Sequence, residues 1–243
     1  MRVLTAVPVY NEVSHISSVL EKIHEYSEDV LVVNDGSTDG TNLLLSKETV
    51  VTHEVNLGYG AAICSAFDYA QQHGYDVVVT IDGDGQHPPD LIPKFVNAMR
   101  LLNADVISGS RYLERQKQQA PEGRKEINQE ITAWFNQKFG LKLTDSFCGL
   151  KAYSVSSLSQ LKITQLGYGG LIQLWVQAAM LKWKIEEYPV PLVYLDEHRS
   201  FGVSLDATQR RRSHYFEVIR KELANPQITT FGALQKTFEA LQS

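Results

Sequence analysis

A chain of 243 residues, 43% of them hydrophobic, is large enough for one sizeable domain, or two closely joined halves, with an ample core. Its formal net charge of -5 argues against general nucleic-acid binding, which needs a dominant basic surface. Two cysteines, Cys64 and Cys148, make no disulfide framework, so a reducing, cytoplasmic setting is expected.

The opening apolar run is too short for a signal peptide and is broken by Pro8; it reads as a strand over 2–7. Further strands are predicted over 29–33, 49–54, 76–81 and 105–109, alternating with helices over about 12–25, 39–47, 59–73 and 89–102. In the third helix Ile63, Ala66, Phe67 and Ala70 recur at helical spacing and mark an inward face. Strand–helix alternation of this kind implies an α/β fold with a doubly wound, mainly parallel sheet flanked by helices.

The second half breaks the rhythm. Residues 113–126 are polar, contain Pro121 and Gly123, and read as a flexible loop of the type that serves as a lid. A helix is predicted from about 124 to 139. Another runs through Leu171, Leu174, Trp175, Ala178 and Ala179, followed by a strand within 184–194. Residues 207–223 read as a basic helix ended by Pro226, and 227–243 as a weakly apolar tail. No stretch approaches the ~20 apolar residues of a membrane span, so a soluble protein is expected.

The chemistry concentrates at strand ends. The run Val77-Val78-Val79-Thr80-Ile81 reads as a strand buried on both faces, and Asp82-Gly83-Asp84-Gly85-Gln86-His87 follows it directly. Two carboxylates and an amide oxygen at alternate positions suit a hard divalent cation, Mg²⁺ or Mn²⁺, which in turn neutralises a diphosphate. A calcium loop of EF-hand type fails on spacing, because its sixth position would be His87 and its twelfth Pro93. Other strand ends carry Pro8-Val9-Tyr10-Asn11-Glu12, then Asn34-Asp35-Gly36-Ser37-Thr38-Asp39-Gly40, then Asn56-Leu57-Gly58-Tyr59-Gly60. Asp-Gly pairs are also ordinary turn formers, and Glu12 also suits a first helical turn. In a parallel sheet, however, all four clusters share one edge and line a single crevice.

This combination resembles family 2 of the inverting glycosyltransferases, over about residues 1–205, and within it the polyprenyl-phosphate sugar transferases of the dolichyl-phosphate mannose synthase type. The resemblance implies an A-type glycosyltransferase fold and a hexosyltransferase activity. It implies that Pro8, Tyr10, Glu12 and Asp35 hold the nucleotide, that Asp82 lies beside it, and that Asp84 and Gln86, with or without Asp82, hold the metal. Gly109-Ser110-Arg111 also matches, and the Arg111 guanidinium suits a phosphate, with a surface arginine as the alternative. The Asp145-to-Lys151 segment resembles the family's acceptor segment, making Asp145 the candidate base and Lys151 a phosphate contact; a helix cap or turn is the alternative for Asp145. Cys148 reads as a small buried residue, since no His lies near it in sequence.

Arg199-Ser200-Phe201-Gly202-Val203-Ser204 is similar to a late family segment that binds phosphates, so Arg199 and Ser204 join the acceptor set. The family's closing lysine is replaced by Leu205, and Gln173 stands where many members carry glutamate. Arg210, Arg211 and Arg212 either replace the lost cation or form a solvated helix face, the second being favoured. The implied organisation is a catalytic domain over 1–205, with a nucleotide-sugar half over 1–112 and an acceptor half over 113–205, then a helical extension over 206–243. The implied partners are a nucleoside-diphosphate sugar and an acceptor that is a lipid phosphate or a sugar, with no nucleic acid. The basic 207–223 segment gives scope for peripheral membrane contact. The Gln-x-x-Arg-Trp segment of processive synthases is absent, which favours single transfers. Two rivals stand beside this reading: a non-catalytic nucleotide-sugar-binding regulator, motivated by Leu205 and Gln173, and a nucleotidyltransferase, whose signature loop is missing.

Overall fold

The computed structural model describes residues 1–114, 122–193 and 208–225. Seven strands form one sheet: β1 (Val3–Val9), β2 (Val30–Asn34), β3 (Thr49–Thr52), β4 (Val77–Thr80), β5 (Val106–Ser110), β6 (Lys151–Ser154) and β7 (Ile185–Pro189). Around it pack α1 (Ile16–His24), α2 (Tyr59–Gln72), α3 (Ile92–Leu102), α4 (Glu122–Phe139), the short α5 (Val155–Leu158), α6 (Gly169–Met180) and α7 (Thr208–Leu223). The strand order is β3-β2-β1-β4-β6-β5-β7. All pairings are parallel except those of β6, which runs antiparallel to both neighbours, β4 and β5.

Period-two alternation along each strand sends side chains into two cores. On one face Leu4, Ala6, Leu31, Val33, Val78 and Tyr153 meet Ala62, Ile63, Ala66, Phe67 and Ala70 of α2, with Trp175 of α6 and Tyr215, Val218 and Ile219 of α7. On the other, Val7, Val9, Val32, Val77, Val79 and Ile107 meet Ile16, Val19, Leu20 and Ile23 of α1 and Ile92, Phe95 and Met99 of α3. Burial of each large aliphatic side chain contributes roughly 1.5–3 kcal/mol, so both faces hold the sheet strongly. The inward face expected for α2 is the one observed. Because α7 supplies three residues to the first core, that core extends past residue 205.

Several expected boundaries shift for local reasons. The helix expected over 39–47 is a 3-10 helix, Thr41–Leu45, entered through Gly40 at φ 95°. The first helix starts at Ile16, not at 12, since residues 11–13 are occupied in bonding to the loop after β2. Helix α4 begins at Glu122, two residues before the expected start near 124 and inside the expected loop. The rest of that loop over 115–121, Arg199 through Leu205, and the 227–243 tail lie outside the described residues. Strand β6 was not expected at all. Among the described residues no helix is long and apolar enough to cross a membrane.

Candidate active site

The carboxyl ends of β1, β2 and β4 open into a cleft of about 850 Å³, and the loops that follow them supply its acidic lip: Glu12, Asp35, Asp39, Asp82 and Asp84. The first two loops are laced together. Asn11, at φ 56°, accepts a bond from the Thr38 amide at 2.8 Å, and the Glu12 and Val13 amides donate to Thr41 Oγ1 and Asp39 Oδ2 at 2.9 and 3.0 Å. Asp35 is 3% exposed, and its carboxylate accepts from the amides of Leu57 and Gly58 at 2.9 and 2.8 Å and pairs with His53 at 2.6 Å. It therefore fixes the entrance to α2 while facing the cleft. Gly58, at φ 104°, is needed there: a Cβ would meet the Leu166 carbonyl at 2.7 Å.

The loop after β4 places Asp82, Asp84 and Gln86 on the same cleft wall. Asp82 accepts a bond from the Tyr59 hydroxyl at 3.1 Å, and Asp84 accepts from the Gln86 amide at 3.0 Å. Gly149 lies directly against the Asp82 carboxylate, and a Cβ at 149 would collide with it. His87 stands behind, 7% exposed, with Nε2 3.6 Å from Cys148 Sγ and Nδ1 3.6 Å from Asp82 Oδ2. Cys148 thus has a histidine neighbour that only tertiary folding provides. Among the described residues no group of three or more His, Cys, Asp or Glu side chains forms a closed metal cage. The oxygen set of this loop suits Mg²⁺ or Mn²⁺ instead, which bind through one or two carboxylates plus substrate phosphates.

The facing wall is cationic and aromatic: Arg111 after β5, Arg124 and Asn128 of α4, Phe147, Tyr168, and Arg211 and Tyr215 of α7. Arg111 holds Asp145 through Nε at 2.7 Å and a terminal nitrogen at 3.0 Å, and Asn128 Nδ2 adds a third bond at 2.7 Å. Burial raises the Asp145 pKa, but the Arg111 charge and these bonds outweigh it and hold the carboxyl down at about 2. Asp145 is 0% exposed and does not line the cleft. A buried, strongly acidic carboxylate locked to a guanidinium is poorly suited to take a proton, so the expected base is in this fold the anchor of Arg111.

Lys151 also departs from expectation. It is fully buried in β6, where its ammonium donates to the Cys148 carbonyl and lies 5.7 Å from the Trp175 ring, and burial pulls its pKa down. It does not line the cleft, so it has no contact to offer a phosphate. Pro8, Tyr10, Glu12, Asp35, Asp82, Asp84, Gln86 and Arg111 are all brought together in the cleft. Arg124 and Arg211 were missed as cleft residues. Of the three successive arginines in α7, Arg210 is exposed, Arg212 pairs with Glu130 at 2.5 Å, and Arg211 turns inward at 6% exposure.

Residues 5–161, most of this architecture, match the model of glycosyl transferase family 2. The chain belongs to that family. It is a glycosyltransferase, and its mostly parallel sheet with flanking helices is the A-type glycosyltransferase fold. It is similar to undecaprenyl-phosphate mannosyltransferase of Micrococcus luteus, 32% identical over 206 residues that cover 79% of this chain and 84% of the relative. It is also similar to polyprenol monophosphomannose synthase of Mycolicibacterium smegmatis, 28% identical over 231 residues covering 89% and 85%. Among solved structures, glucosyl-3-phosphoglycerate synthase from Mycobacterium tuberculosis, in complex with Mn²⁺, uridine diphosphate and phosphoglyceric acid, aligns with a TM-score of 0.69 at 20% identity. That alignment covers 91% of this chain and 78% of the other.

Proposed function

We propose that this glycosyltransferase moves a sugar, with inversion, from a nucleoside-diphosphate sugar to a polyprenyl phosphate at a membrane surface. The observation that carries the reading is the division of one cleft into a carboxylate lip, suited to a metal–diphosphate, and an arginine wall, suited to an acceptor anion. The names of the two relatives, both tied to a polyprenyl or undecaprenyl phosphate, support the acceptor class.

Pro8, Tyr10, Glu12 and Asp35 hold the base and ribose in this reading, with Asp35 also keeping the α2 entrance in register. Asp84 and Gln86, with Asp82, would hold Mg²⁺ or Mn²⁺, whose charge stabilises the departing nucleoside diphosphate. Arg111, oriented by Asp145, presents its guanidinium to a phosphate. A phosphate acceptor is already anionic when it attacks the anomeric carbon, so no general base is required. That agrees with an Asp145 carboxylate that is neither accessible nor basic. A sugar hydroxyl acceptor would need a base that this wall does not supply through Asp145.

The test is transfer from UDP- and GDP-sugars to a short-chain polyprenyl phosphate in the presence of Mn²⁺. Asp84→Ala is expected to lower turnover by about 100-fold or more, as loss of a transition-state electrostatic contact does. Turnover that persists without divalent cation, or an Asp84→Ala variant as active as the parent, would overturn the metal assignment. Donor binding without any turnover would favour the regulatory reading.

A further inference from the structure

The three cleft arginines come from three separate parts of the fold, and the one in α7 is differently placed from the other two. Arg211 is 6% exposed and lines the cleft one helical turn before Tyr215, whose ring packs 5.2 Å from that of Phe147. Tyr168, in the same wall, stacks on Tyr59 at 5.7 Å, and Tyr59 donates to Asp82. Two aromatic pairs thus stand in the cleft, one beside Arg211 and one beside the Asp82 loop. A guanidinium enclosed in the cleft wall, apart from the carboxylates, suits a role in receiving an anion. The cleft carboxylates all belong to the loops after β1, β2 and β4, while Arg111, Arg124 and Arg211 belong to the end of β5 and to α4 and α7.

We propose that Arg211 binds the phosphate monoester of the acceptor and sets the enzyme's preference for phosphorylated over neutral acceptors. The inference rests on the phosphate-acceptor reading above and deepens it. Guanidinium pairs with phosphate through two parallel hydrogen bonds, a geometry that an ammonium does not reproduce. The far end of α7 has its own attachment, Glu222 accepting from Gln173 and Gln177 at 2.6 and 2.7 Å, and thermal unfolding of the variants reports whether the helix stays docked.

The experiment compares the full chain with its Arg211→Gln and Arg211→Lys variants, using Mn²⁺ and the sugar nucleotide the parent turns over. The acceptors are farnesyl phosphate, 3-phosphoglycerate and farnesol, and thermal unfolding is followed in parallel. Arg211→Gln is expected to raise the KM for the phosphorylated acceptor roughly 10- to 100-fold, the effect of losing a charge-assisted hydrogen-bonded pair. The donor KM should stay within about twofold and Arg211→Lys should recover part of the loss. An unchanged acceptor KM, or a donor KM that rises equally, overturns the assignment. If the parent uses farnesol as well as farnesyl phosphate, the phosphate-acceptor reading falls and this inference with it. If 3-phosphoglycerate is used in place of farnesyl phosphate and its KM responds to Arg211, the phosphate contact stands and the lipid part of the reading falls.

Discussion

Asp82 owes its position to the absence of a side chain at residue 149. With a methyl group there, either the carboxylate or the 147–149 segment has to move. Gly149→Ala is expected to cost about 1–3 kcal/mol of stability through overpacking. It should also lower donor kcat/KM by about 10- to 100-fold, since misplacing a positioning group by about 1 Å can cost about 100-fold. Measuring both separates the two effects: a fall in Tm with unchanged kcat/KM would mean the placement of Asp82 is not critical. At this scale the acidic side of the site was legible in the sequence. Carboxylates clustered after apolar strands have few other reasons to be there, and Glu12, Asp35, Asp82 and Asp84 all reach the cleft. The cationic side was not. Arg124 and Arg211 sit in helices rich in polar residues, where an inward arginine has the same local sequence as an outward one. The resemblance makes Asp145 a candidate base, and its pairing with Arg111, 34 residues away, is visible only in the folded chain.

Helices α6 and α7 and the 162–165 segment meet in a buried polar network. Gln173 Oε1 accepts the Thr164 and Gln165 amides at 2.7 and 2.9 Å, and Gln177 Oε1 accepts the Lys162 amide at 2.7 Å. Both amide nitrogens then donate to Glu222. This accounts for glutamine at 173: a glutamate there would face a second carboxylate at hydrogen-bond distance. Gln173→Glu is expected to cost about 2 kcal/mol in urea unfolding, and adding Glu222→Gln should restore most of it, because the pair is exchanged and not broken. Failure of the second change to rescue the first would argue against a direct coupling. The elements themselves were readable where periodicity was strong, as in α2 and α6. Strand β6 was not, because Lys-Ala-Tyr-Ser is four residues long and begins with a charge. Only its place between β4 and β5, with Lys151 opposite Thr80, makes it a strand. The 39–47 helix failed similarly: Gly40 and the Asp39–Thr41 bonds at 2.9 and 2.6 Å favour a tighter turn over a regular helix.

For the molecule as a whole, acid stability follows from the Arg111–Asp145 pair. The Asp145 carboxyl is held at about 2 in the fold against 3.8 for the free group. A lowered folded-state pKa stabilises above the unfolded value, and the contribution is lost as pH falls through the folded one. The parent should therefore lose about 2 kcal/mol relative to Asp145→Asn between about pH 4 and pH 2, as measured by urea unfolding across that window. Equal pH slopes for the two proteins would show that the pair is not formed in solution. Membrane attraction through α7 has less charge to draw on than composition suggests, since Arg211 turns inward, Arg212 bonds to Glu130 and Lys221 pairs with Glu217.

The reversed strand inside the sheet constrains how such enzymes are recombined. A chimera joined near residue 112, to graft a new acceptor portion onto this nucleotide portion, would replace β6 while keeping both strands that flank it. The transplanted strand would then have to match foreign neighbours along two ladders at once. Retargeting the enzyme is better attempted by exchanging cleft-facing side chains within α4 and α7, where no ladder register is at stake.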